Sequence, residues 1–293
     1  MNSPTSSHPT RSGGRWRALI AGILVALPLA GCAHRSTATV AGSLAIPADV
    51  FRVRIEVSNG TIDIGAQDEA NPSDDIVYKG GVRRDAGSAE ELTQLNAVPI
   101  ELTAELDPEA KDTLVIRGPR APAGVTGMIA LEAGIRIPAG LELEVVVTGN
   151  GHVTMVGRRA RSKVETRRGD LRFEDCRGGI EAHTGQGVLI AFEHRGDLDV
   201  RTDNGDMQAF VEEPGEVLTL ATGKGTVQCH IPEDLEFEVD ARAEMGRIGN
   251  DFRVPVRKIG DYSAAMTGKI GAGDTKIILR TAAGQIDLRV RDA

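Results

Sequence analysis

Between residues 145 and 230 apolar and polar positions alternate with a period of two, the signature of strands with one buried face rather than of an amphipathic helix. Ile180, Ala182 and Thr184 recur one unit later as Leu198, Val200 and Thr202, and again as Leu218, Leu220 and Thr222. Each run meets a glycine, after which the alternation resumes at Leu171 and Phe173, Leu189 and Ala191, Met207 and Ala209, Val227 and Cys229. The pattern predicts strand, glycine turn, strand in every unit. Gly151, Gly169, Gly187 and Gly205 are spaced by 18 residues, Gly225 and Gly246 follow at 20 and 21, and Thr148, Thr166, Thr184, Thr202 and Thr222 stand three residues before the first five. A second set, Gly178 or Gly179, Gly196 and Gly215, marks the other corner of the unit.

Such a unit is either a hairpin of a meander or one coil of a solenoid. Only stacking requires threonine, glycine and apolar positions to hold one register, because equivalent residues of successive coils lie above one another at about 4.8 Å. At about 3.3 Å per residue a coil has a perimeter of roughly 60 Å, enough for two or three short strands around a thin core. The pattern therefore predicts an all-β parallel solenoid (β-helix) with ~18-residue coils, in which Thr166, Thr184 and Thr202 form a column. The same frame recurs at Val53, Ile55, Val57, Gly60, Ile62 and Ile64, and at Ile277, Leu279, Thr281, Gly284, Ile286 and Leu288. It weakens at Gly246, where Asn250 replaces an apolar residue, and slips at Gly151, where an inward Glu144 predicts a bulge near Leu143 to Val147. Over 65–135 coil register is lost. Strands are predicted there at Asp75 to Lys79, Val98 to Leu106, Thr113 to Arg117 and Met128 to Ile137, with a loop or short surface helix at Asp85 to Asn96.

Composition narrows the class. The 293 residues include 35 Gly and are 41% hydrophobic and 26% charged, which describes a folded, turn-rich chain rather than a disordered one. Aromatics are only 3%, as a thin core requires, and with a net charge of −8 they argue against nucleic acid as a partner. Residues 1–31 carry Arg11, Arg15 and Arg17 without an acid, followed by the apolar run Ala18 to Ala30, as a signal peptide does. Leu29, Ala30, Gly31 and Cys32 resemble the lipobox of bacterial lipoproteins. That resemblance implies lipidation at Cys32, attachment to the membrane through the N-terminal lipid and, with Ala33 next, sorting to the outer membrane of a Gram-negative envelope. Two or three acyl chains make a stable anchor. The mature chain would then hold 31 basic and 42 acidic residues, a net charge of −11. Residues 32–47 are expected to be the lipidated N-terminus and a tether, and residues 48–293 the solenoid.

Val57, Ser58, Asn59, Gly60, Thr61 and Ile62, then Ile135, Arg136, Ile137, Pro138, Ala139, Gly140 and Leu141, and then the threonine–glycine coils make the chain similar to the bacterial putative-adhesin family of β-strand-repeat domains of unknown function. The resemblance spans roughly 48–290. It implies a right-handed solenoid, no catalytic residues and a place in the cell envelope, some members being linked to envelope-stress signalling.

Candidate chemistry is sparse. Asp170, Asp197 and Asp206 follow glycines but lack the doubled glycine turn of calcium-binding rolls, so no metal is assigned. Glu181 over Asp199, with Lys163 on the neighbouring coil, reads as a solvated charge ladder. The outward series Asp170, Val188, Asp206, Thr226 and Arg172, Ile190, Gln208, Gln228 contains no acid pair fit for cutting polysaccharide. No catalytic residue or cofactor is assigned. His152, His183, His194 and His230 fall on different faces or corners and read as surface imidazoles. Cys176 near a corner and Cys229 inside, about three coils apart, lie roughly 14 Å from each other and beyond disulfide reach. Arg158, Arg159, Arg161, Lys163, Arg167 and Arg168 crowd together with only Glu165 opposing. They form a candidate basic patch for an acidic glycan, a lipid phosphate or an acidic envelope protein, set against the plainer reading of a solvated, paired turn. The expected protein is a non-catalytic adhesin-like binding or scaffolding module. An envelope-stress sensor holding a membrane protein is the alternative, and a polysaccharide-acting enzyme a more distant one.

Overall fold

The computed structural model describes residues 34–67 and 75–291; the signal segment and Cys32 lie outside them. In chain order the strands begin with β1 (His34–Ala45), β2 (Arg52–Val57), β3 (Gly60–Ala66) and β4 (Asp75–Ala86). The one helix among the described residues, α1 (Ala89–Asn96), precedes β5 (Thr103–Leu106), β6 (Thr113–Arg117), β7 (Met128–Ile137) and the long β8 (Glu142–Val156). The repeat block follows as β9 (Ser162–Arg168), β10 (Leu171–Glu174), β11 (Ile180–Gln186), β12 (Leu189–Asn204), β13 (Met207–Lys224) and β14 (Val227–Ile231). The chain closes with β15 (Phe237–Met245), β16 (Ile248–Asn250), β17 (Val256–Ile259), β18 (Ser263–Ile270), β19 (Thr275–Ala283) and β20 (Ile286–Val290).

These strands form one mixed sheet that runs as two ladders. The first ladder is β5, β6, β2, the start of β8, β9, β11, the ends of β12 and β13, then β19, β15, β18 and β17. The second is β1, β4, β7, β3, the end of β8, β10, the starts of β12 and β13, then β14, β20 and β16. The middle of both ladders is parallel and their outer members include antiparallel hairpins. Because successive side chains point to opposite faces, the inward positions of both ladders meet in a single aliphatic core.

The pairing register carries the repeat. Leu171 lies between Val153 and Leu189, and Ile180 between Ser162 and Leu198, 18 residues away in each direction. Thr166, Thr184, Thr202, Thr222 and Thr281 stand in one line of paired neighbours and are all buried. The hydroxyls of Thr184 and Thr222 donate to the carbonyls of Gly169 and Gly205 at 2.9 Å, one coil back, and Thr281 donates to that of Gly225 at 3.1 Å. Threonine and glycine are thus halves of one device: a buried hydroxyl needs an acceptor, and the tight glycine turn of the neighbouring coil provides it. Gly169 has φ +143°, and a Cβ there would sit 1.8 Å from Gly151 O, so no side chain fits.

Several expectations are corrected. The alternation at Leu143, Val145 and Val147 is regular with Glu144 outward, and the register shift falls between Val147 and Asn150. Val147, not the exposed Thr148, therefore occupies the threonine column. Residues 34–45 are not a tether but a strand, β1, paired antiparallel along its whole length with β4 from His34 opposite Ala86 to Ala45 opposite Asp75. Of 98–106 only Thr103–Leu106 is a strand, exposed throughout. Over Asp85 to Asn96 the short-helix alternative holds as α1, preceded by the end of β4 and N-capped by Ser88. Ser88 accepts from Glu91 N at 3.1 Å while Glu91 accepts from Gly87 N at 3.0 Å. Asn250 stands where an apolar residue was expected because it closes a turn, its amide donating to Val254 O and its Oδ1 accepting from Phe252 N, both at 3.1 Å.

Order along the stack departs from order along the chain at both ends. The first copy, β2 and β3, is held between β8 and the later β6 and β7. The last copy, β19 and β20, is held between β13 and β14 on one side and the earlier β15 and β16 on the other.

Candidate functional site

The basic cluster does not survive as one surface. Gly157, Asp175 and Glu193 recur at the repeat spacing with φ of 68°, 44° and 52°. This left-handed step turns the following residue inward, so Arg158, Cys176 and His194 are all buried at one corner. Arg158 is 1% exposed. Its guanidinium donates to the carbonyls of Ile137 at 3.1 Å, Pro138 at 2.9 Å and Leu141 at 2.5 Å, and burial lowers its pKa to about 10. It is a brace for the β7–β8 connection and leaves the patch. His194, expected at the surface, is enclosed as well. Its Nε2 lies 3.0 Å from Asp197 O, its Nδ1 has no hydrogen-bond partner among the described residues, and burial pushes the imidazole below its ordinary range. Burial likewise raises the Cys176 thiol. The second buried thiol, Cys229, is pushed up to about 12 by burial alone. The signal for this corner was the repeat spacing itself, applied to polar positions as well as apolar ones.

The remaining basic residues divide. Arg161 lies 3.2 Å from Glu181, and Lys163 lies 2.9 Å from Glu165, which holds the lysine above its usual pKa. Arg159, Arg167 and Arg168 are exposed, and the last two enter no ion pair among the described residues. Arg168 borders an open depression of about 480 Å³ with Arg83, Glu132 and His152. Along the outer face of the first ladder Arg54, Glu144, Lys163, Glu181 and Asp199 follow one another in register, as the ladder reading expects of its last three. Arg54 meets Glu144 at 2.6 Å, Lys163 lies 3.8 Å from Glu181, and Arg201 pairs with Asp199 at 3.1 Å. Each exposed pair adds at most about 1 kcal/mol, but together they neutralise the face. The turn aspartates are occupied too: Asp170, Asp197 and Asp206 accept from the backbone N–H of Val188, Val217 and Thr226 on the next coil at 2.8, 3.0 and 2.7 Å. His152 and His183 lie 3.3 Å from Asp170 and Asp203 on the surface.

The outer face of the second ladder differs. Phe192 and Phe210 meet edge to face at 5.4 Å, and Phe210 stacks on His230 at 4.4 Å. Phe192 is 40% exposed. Gln208, Gln228 and Asp287 run beside the rings in register. The sequence pattern placed Gln208, Gln228 and His230 at the surface but missed Phe192 and Phe210, although these two and His230 keep the repeat spacing in the outward frame.

Fold and surface together define a β-stack protein whose inner columns maintain the coil and whose outer faces carry a charge ladder on one side and an aromatic strip on the other. The chain belongs to the Toastrack DUF4097 family, whose model matches residues 140–289. It is similar, at 11% identity and a TM-score of 0.41, to the crystal structure of a putative adhesin from Bacteroides fragilis, covering 87% of this chain and 98% of that one. It is also similar, at 11% identity and a TM-score of 0.33, to that of a putative cell adhesion protein from Clostridium sporogenes, covering 88% of this chain and 100% of that one. No curated protein sequence matches the chain.

Proposed function

We propose that this chain is a lipid-anchored cell-envelope protein whose stack, a right-handed solenoid with coils of about 18 residues, is a non-catalytic binding module. The lipobox-like run ending at Cys32 supports the anchor. The observation that carries the binding reading is the outward strip Phe192, Phe210 and His230 beside Gln208 and Gln228. Aromatic faces offer contact area at little entropic cost, and side-chain amides offer paired donors and acceptors. A rigid coil holds both ready before the ligand arrives. Such a strip suits the flat apolar face and hydroxyl rim of sugar rings in an envelope glycan. Glu144, Glu165, Glu181 and Asp199 of the first ladder are held by cations, which favours a structural use for them over catalysis.

The test is co-sedimentation of detergent-solubilised full-length protein with purified peptidoglycan. The double variant Phe192→Ala with Phe210→Ala is expected to lose binding while Arg167→Ser with Arg168→Ser keeps it. Binding undiminished by loss of the rings refutes the strip, and loss in the arginine variant alone moves the site to the depression at Arg168. For the anchor, Cys32→Ser is expected to lose the acyl mass and leave the membrane fraction; a variant that remains with full acyl mass refutes lipidation there.

A further inference from the structure

We propose that the two ends of the first ladder join copies of this chain head to tail. Its terminal strands, β5 and β17, are each four residues long, each hydrogen-bonded to one neighbour only among the described residues, and each exposed at every position. A strand bare on both faces gains nothing from the core. Yet Leu106, Val256 and Ile259 stand in them 47%, 39% and 47% exposed, with Tyr262 just beyond at 76%. Open edges carrying apolar side chains are templates for another strand.

Charge says which strand. Residues 101–112 hold Glu101, Glu105, Asp107, Glu109 and Asp112 against Lys111 alone, whereas 253–259 hold Arg253, Arg257 and Lys258 and no acid. Glu101, Glu109 and all three of those cations enter no ion pair among the described residues, although arginines elsewhere on the surface are widely paired. The β5 segment is acidic and the β17 segment basic; within one copy Glu105 and Asp107 already meet Arg117 and Arg54, and Asp251 and Asp261 flank the cations, so the contact shares Glu105 with a second cation.

Strand direction agrees. From β6 to β15 every step of this ladder is parallel, β5 is antiparallel to β6, and the two antiparallel steps through β18 return β17 to the common direction. A second copy displaced along the stack therefore brings its β5 antiparallel to β17. With Val256 opposite Leu106, Arg257 falls opposite Glu105. The contact is heterologous, so it repeats from copy to copy instead of closing as a dimer.

The experiment is light scattering of the detergent-solubilised full-length chain over a concentration series, with the detergent contribution subtracted and far-ultraviolet circular dichroism to verify folding. The wild-type mass is expected to climb past that of a dimer as concentration rises. Arg257→Glu with Lys258→Glu, two exposed and unpaired positions, is expected to weaken association about tenfold or more, since like charges then face across the strands. Adding Glu105→Lys to that variant is expected to restore it. A wild type that stays monomeric or stops at a dimer overturns the proposal. So does a charge-reversed variant that associates like the wild type, or a triple variant that remains monomeric while folded.

Discussion

Replacing Arg158 by Met separates a surface arginine from a buried brace. Methionine nearly fills the volume but removes every donor. Holding the guanidinium charged at about 10 instead of 12.5 costs about 3 kcal/mol of desolvation, which the substitution gives back. Against this stand three hydrogen bonds from a charged donor, each worth roughly 1.5–3 kcal/mol. Two of the acceptors keep another donor: Ile137 O accepts from Gln67 N at 3.2 Å and Pro138 O from Leu141 N at 3.3 Å. That leaves Leu141 O most exposed to loss, and the net expectation for Arg158→Met is destabilisation by about 3 kcal/mol. The exposed neighbour Arg159→Met should change stability by no more than about 0.5 kcal/mol. Guanidinium denaturation followed by circular dichroism measures both. An unchanged denaturant slope would assign the difference to stability, not to a change in the surface exposed. The loss should begin where the brace acts, with faster amide exchange over 141–143. An Arg158→Met protein as stable as Arg159→Met refutes the reasoning.

Burial depresses the His194 pKa below its ordinary 6.5, so below that pH the unfolded chain binds a proton that the folded chain refuses. Stability should therefore fall as pH drops below about 6.5 until the folded pKa is reached, and His194→Gln should flatten that part of a melting-temperature profile; a wild-type profile already flat there contradicts the burial. Cys229, with its thiol raised to about 12, should resist iodoacetamide at pH 8 until denaturant is added, and rapid labelling of the native protein would be the contrary result. Gly169→Ala should cost several kcal/mol because its Cβ would meet Gly151 O at 1.8 Å. Thr184→Val should cost only about 1 kcal/mol, the worth of one hydroxyl hydrogen bond. Equal effects of these two changes would undo the reading of the threonine–glycine device.

Periodicity alone determined that this chain is built of strands with one buried face, that its units stack, and that Thr166, Thr184 and Thr202 form a column. A stacked repeat places each position in the same surroundings at every turn, so the same residue types return at the same interval. Residues 34–45 escaped that logic because the side of β1 turned from solvent is His34, Ser36, Ala38, Val40, Gly42 and Leu44, of which Val40 alone is fully buried, leaving little apolar signal. Arg158 and His194 escaped because a left-handed residue before each adds a half-step that turns a polar side chain inward, and only converging carbonyls make such burial tolerable for the arginine. The order of the end coils lay entirely with the tertiary structure. Alternation tells a strand which face to bury but not which neighbour to choose. Seating the first and last copies one place inside the stack, with 113–137 and 237–250 closing over them, depends on hydrogen bonds between segments far apart in the chain.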